Sequence, residues 1–154
     1  LSVVAFAVFN GLLLCAAISD IRRFRIPNAV AAAVLLSALV CAFPSSVAET
    51  LSRGASLVLV ASICGALWLK GLIGGGDLKL IVACAAWIPF GGLALFILSF
   101  GLASAIQGGA TLAYVRVASR TPLEKALRSR LPYGVSIATA GLVWSTVSLL
   151  TSRL

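Results

Sequence analysis

The chain is laid out as apolar runs of near-membrane length, joined by short stretches that hold almost all of its charge. A helix needs about 20 apolar residues to cross a hydrocarbon core of about 30 Å. Residues 1–19, 54–72, 91–115 and 134–151 approach or pass that length, and 28–43 is somewhat shorter. Soluble domains carry about 45–50% apolar residues, whereas this sequence carries 61% and has a mean hydropathy of +1.13. Lipid is therefore the expected solvent. The fold class this predicts is all-α: a polytopic membrane protein of about six transmembrane helices, forming a single domain over residues 1–154.

Local signals place the breaks. The first run has no basic stretch before it, and its positive charges follow at Arg22, Arg23 and Arg25. It reads as a spanning helix rather than a cleaved signal. Pro27-Asn28 suits the start of a second helix, because proline is tolerated in a first turn and asparagine caps one. Pro44-Ser45-Ser46 closes that helix, and residues 45–53 read as a polar loop in which Glu49 is solvated. Lys70 lies near enough to the end of the third run to reach the surface along its stem. The stretch from Leu78 to about Val115 is too long for one helix. Pro89 with Gly91-Gly92 is its best turn signal. A turn there leaves a short fourth span over 78–88, about 16 Å long, and a fifth over 91–115.

Charge then orients the spans. Of the 12 basic residues, ten fall in three segments. Arg22, Arg23 and Arg25 follow the first span, Lys70 and Lys79 bracket the glycine-rich turn, and Arg116, Arg120, Lys125, Arg128 and Arg130 precede the last span. With six crossings and both termini outside, in the periplasm, all three segments face the cytoplasm, as the excess of Lys and Arg on cytoplasmic loops requires. A single crossing over 78–115 would put the last segment outside. The net charge of +8 is thus read as topology, not as nucleic-acid binding.

The chain has no His and only two aspartates, Asp20 and Asp77. Each lies in a turn beside a basic segment, hence on one membrane face. Cys15, Cys41, Cys64 and Cys84 sit inside apolar runs without a CxxC pair, so no metal and no cofactor is expected. Peptide hydrolysis without metal, His or activated Cys leaves the paired-carboxylate route. Two carboxylates a few ångströms apart cannot both ionise comfortably, so they share a proton. The ionised member takes a proton from water, and the protonated member hydrogen-bonds the scissile carbonyl and later protonates the leaving amine. Which aspartate plays which part stays open, because the titration belongs to the pair. Gly74-Gly75-Gly76 would permit positive φ and close approach of an extended substrate strand.

Three other readings stay open on residues alone. Asp77 could sit in an ordinary interfacial turn, ion-paired to Lys79. A small carrier would use both aspartates as relay groups, although carriers place these near the midplane within inverted repeats, and no repeat is visible here. A non-catalytic subunit of a secretion machine is the third.

Asp20 with Arg25-Ile26-Pro27-Asn28, then Gly75-Gly76-Asp77-Leu78-Lys79, resembles the type IV prepilin peptidases of the GxGD aspartyl protease group. Leu131-Pro132-Tyr133-Gly134 followed by small and apolar residues is similar to that family's third signature. The resemblance implies a multi-pass endopeptidase of the bacterial inner membrane with its active site facing the cytoplasm. It would cut the basic leader from prepilin or prepilin-like substrates at the cytoplasmic face of the lipid bilayer. Asp20 and Asp77 would be the catalytic pair, with Gly75, Gly76, Lys79, Pro132, Tyr133 and Gly134 around substrate and active-site loop. Larger members carry an insert with paired CxxC motifs and methylate the mature pilin. This chain resembles the compact form of tight-adherence (Flp-type) systems, for which no methyltransferase, zinc or S-adenosylmethionine site is expected.

Overall fold

The structure is a computed structural model that describes residues 3–41, 44, 46–118 and 132–151. Its helices are α1 (Val3–Arg23), α2 (Asn28–Cys41), α3 (Val47–Leu69), α4 (Gly75–Ala85), α5 (Leu93–Ala118) and α6 (Tyr133–Thr151), with a single 3-10 turn at Phe90–Gly92 before α5. The result is an all-α bundle of membrane type. Among the described residues, four stretches are long and apolar enough to cross a membrane: Val3–Arg23, Val47–Leu69, Phe90–Tyr114 and Tyr133–Thr151. The outer faces are apolar as well. Leu36, Val40, Leu98, Leu102 and Ile106 all stand exposed, as side chains meant for lipid rather than water would.

The core is organised around α1. Phe6, Phe9, Leu13, Ala16 and Ala17 recur at helical spacing and are buried, which gives α1 one packed stripe. α6 lies antiparallel along that stripe, because Gly134 meets Asp20, Gly141 meets Leu13 and Ser145 meets Asn10. Small residues allow the approach. A Cβ on Gly141 would run into Leu13 Cδ1 and lie 3.3 Å from the Phe9 ring. Without water to drive them together, membrane helices gain from close packing and from interhelical hydrogen bonds. Ser145 Oγ supplies one such bond, donating to Asn10 Oδ1 at 2.9 Å.

α4 is the short inner element. Leu80, Ala83, Cys84 and Ala85 are buried, and α2, α3 and α6 surround it. The protein thus shields α4 on several sides, which is how 11 residues, about 16 Å of helix, can sit inside the bundle. Trp87 closes its far end. The indole is fully buried, its Nε1 donates to Val34 O at 2.9 Å, and its ring lies 4.8 Å from that of Phe9.

The break between α4 and α5 falls at Ala86–Pro89, where the proline and paired glycines place it. The stretch before α3 differs from expectation. Residues 47–53 are helical rather than a polar loop, because Ser46 caps α3 by accepting from Glu49 N at 3.2 Å. Glu49 then pairs one turn along with Arg53, whose side chain is buried, so it is not a solvated loop residue. Of the last basic segment, Arg120, Glu124, Lys125, Arg128 and Arg130 lie outside the described residues.

The α1–α6 seam makes a direct prediction. Gly141→Ala should destabilise the protein by about 1–3 kcal/mol, because the added methyl overpacks against Leu13. Leu13→Ala should cost less in that background than alone, a coupling read from a double-mutant cycle of unfolding in detergent.

Candidate active site

Asp20 is the next step along the buried stripe of α1, one turn past Ala16 and Ala17. It is therefore inside the bundle, 6% exposed, in the last turn of α1 rather than in a loop. The helix stops because Phe24 turns to a φ of 49°, with Phe24 N donating to Asp20 O at 2.8 Å. Ser19 Oγ then donates to Arg25 O at 3.0 Å, which folds the following stretch back so that Ile26 is buried.

Asp77 likewise lies in a helix. Gly74 is the N-cap of α4, so Gly75, Gly76 and Asp77 form its first turn. This corrects the expectation of positive φ through Gly74-Gly75-Gly76. Among the described glycines only Gly71 has positive φ. What the glycines permit instead is proximity. A Cβ on Gly74 would lie 2.9 Å from Asp77 Oδ2, and one on Gly76 would lie 3.5 Å from Ile26. The Asp77 carboxyl thus turns back over its own helix start, while Gly76 brings α4 against the segment that follows Asp20.

The two aspartates feel each other. Asp77 is half-buried, and its carboxyl is pushed up to about 6, chiefly by burial and then by the negative charge of Asp20. The N-terminus of α6 reaches Asp20 from the other side, where Gly134 N donates to Asp20 Oδ2 at 2.7 Å. The first N–H groups of a helix have no partner within it and carry positive partial charge. With Asp20 ionised, this bond is a charge-assisted one. Gly134 has to be glycine for it, since a Cβ would lie 2.9 Å from both Cβ and Oδ2 of Asp20.

The other expected site residues divide. Tyr133 lines a cavity of about 500 Å³ together with Asp77, Gly74 and Ser104, walled by Cys64, Ile81 and Phe100 among other apolar side chains. The cavity opens between α3 and α5 with Asp77 as the carboxyl in its lining, an arrangement that can hold an apolar chain beside a carboxyl. Lys79 turns away, donating through Nζ to Asn28 Oδ1 at 2.9 Å rather than pairing with Asp77. The Pro132 carbonyl accepts from Gln107 Nε2 at 3.0 Å. Gln107 did not stand out in the sequence, although a lone amide within an apolar helix is the kind of residue that marks a site. Among the described residues, no three His, Cys, Asp or Glu side chains gather as a metal would require.

A protein-family model described as the type IV leader peptidase family matches residues 7–109 of this chain. That stretch holds α1 from residue 7, α2 to α4 and the first 17 of the 26 residues of α5, and so both aspartates. No curated protein and no solved structure matches significantly.

Gly134→Ala should push the Asp20 carboxyl from its place and break its bond to α6. The expected result is a loss of about 1–3 kcal/mol from overpacking, seen as a lower unfolding temperature in detergent, whereas Gly101→Ala, with open space around it, should leave stability within about 0.5 kcal/mol of the parent.

Proposed function

From the premise that this chain belongs to the type IV leader peptidase family, we propose that it is a prepilin leader peptidase: an aspartic endopeptidase that removes the basic leader of prepilin or prepilin-like substrates. The observation that carries the reading is that the chain's only two aspartates lie at one end of the bundle, close enough for one charge to act on the other. In this reading residues 1–154 form one membrane-embedded unit with six crossings, the short ones being α2 and the stretch from residue 78 that follows Asp77. Both termini lie outside and the aspartate end faces the cytoplasm. Arg22, Arg23, Arg25, Lys70 and Lys79 flank that end, in keeping with the bias of basic residues toward the cytoplasm.

The roles follow from the surroundings of each carboxyl. Asp20 accepts the Gly134 N–H at a helix start, where negative charge is stabilised, and it serves as the base that takes a proton from water. Asp77 holds its proton to about pH 6, so it donates first a hydrogen bond to the scissile carbonyl and then the proton to the leaving amine. The reacting segment lies along the cavity that opens on Asp77, with Tyr133 at its edge. Gly75 and Gly76, lacking side chains, let the start of α4 pack against Trp68 and Ile26 and so set the place of Asp77. Lys79 and Asn28 form a polar pair at the headgroup level. The leader's basic residues meet the lipid headgroups and the charge of the pair.

Two outcomes test this. Asp20→Asn and Asp77→Asn should each reduce cleavage of a synthetic leader peptide by at least about 100-fold while the protein still inserts; leader removal at the normal rate by either variant refutes the pair. The pH profile of kcat/KM should be bell-shaped. Above about 6 Asp77 gives up its proton, the shared proton is lost, and the rate falls as pH rises; at low pH the base is protonated and the rate falls again.

A further inference from the structure

We propose that Gln107 is a positioning residue for the aspartate pair, fixing the first turn of α6 so that the Gly134 N–H stays aimed at Asp20. Its catalytic consequence rests on the peptidase reading above, while its geometry does not. Gln107 lies in α5, a helix whose other residues are overwhelmingly apolar or small. A primary amide there is costly unless both of its ends are satisfied. Both are. Nε2 donates to Pro132 O at 3.0 Å, and Oε1 accepts from Ser136 Oγ at 2.8 Å.

The amide can sit only one way round. A carbonyl oxygen only accepts, so the NH2 group has to face Pro132, which leaves the amide oxygen for the Ser136 hydroxyl. The two anchor points bracket the residues that matter. Pro132 precedes the first turn of α6 and Ser136 ends it, with Tyr133 and Gly134 between them. Neither of those two offers a side chain that fixes the turn, because Gly134 has none and Tyr133 is 41% exposed. The side-chain clamp on the turn is therefore the Gln107 amide, from α5. From it the Gly134 N–H reaches Asp20 Oδ2 at 2.7 Å, and the Asp20 charge acts on Asp77. Gln107 touches neither carboxylate, so it acts through the turn.

The test uses Gln107→Met, which keeps the length of the side chain and removes both hydrogen bonds. Tyr133-Gly134 is the only Tyr-Gly pair in the sequence, so tyrosine labelled at its carbonyl carbon and 15N-glycine together select the Gly134 amide by NMR. In the parent protein that proton should resonate far downfield, as a donor to a carboxylate does. In Gln107→Met it should move upfield toward its position in Asp20→Asn, with the unfolding temperature little changed. In the same samples kcat for a leader peptide should fall about 10- to 100-fold with KM within about twofold, the pattern of a misplaced catalytic group. Ser136→Ala should give a smaller change of the same sign. The double variant should be no worse than Gln107→Met, because both act on one contact. An unmoved Gly134 resonance, or an unchanged kcat, overturns the proposal. If Gln107→Met does not fold, an unmoved resonance in Ser136→Ala overturns it equally. If the parent cuts no leader peptide while the resonance moves, the positioning role stands and the peptidase reading falls.

Discussion

A carboxylate can be carried into an apolar bundle only where something replaces the water it gives up. Here Asp20 is almost wholly enclosed, and the Gly134 N–H at the start of α6 is part of what replaces it. The rest of the architecture serves that meeting. α1 and α6 have to approach closely along their whole length, and they do so through Gly134, Ala138 and Gly141 against the Phe9–Leu13–Asp20 stripe. Larger residues on that seam would hold the helices apart and leave Asp20 without its donor.

The same constraint accounts for α4. Asp77 lies near enough to feel the Asp20 charge, in the first turn of a helix much shorter than its neighbours in the chain. α4 starts at Gly75, pressed through Gly76 against Ile26, and ends after 11 residues at the buried Trp87. The carboxyl at its first turn opens onto a cavity between α3 and α5. The price is a proton, since burial and the Asp20 charge both favour the neutral form of Asp77. For acid–base chemistry at a peptide bond, one neutral and one ionised carboxyl is the useful state.

Much of this could be read from the residues. Long uncharged runs dictate helices, Pro89 with Gly91-Gly92 gives the α4–α5 break, and the family match agrees with the resemblance drawn from Asp20, Asp77 and their neighbours. The misreadings have physical causes. Ser46-Val47-Ala48-Glu49 carries the spacing of a helix start, but its polarity suggested a loop. The glycines before Asp77 suggested positive φ, yet close approach also calls for a missing Cβ, and a sequence does not separate the two demands. Gln107 was invisible because its partners, Pro132 and Ser136, lie 25 and 29 residues away. Only tertiary contact makes that amide meaningful.

Asp20 and Asp77 are the only aspartates in the sequence, so whether they titrate as one unit is directly measurable. Protein labelled with 13C at the aspartate carboxyl carbon gives two resonances that can be followed with pH. Asp77 should titrate near 6, and Asp20→Asn should bring it down, since removing a neighbouring negative charge eases ionisation, though not fully to the ordinary value because burial remains. Two carboxyls that each titrate near 3.8, with neither responding to loss of the other, would contradict the pairing.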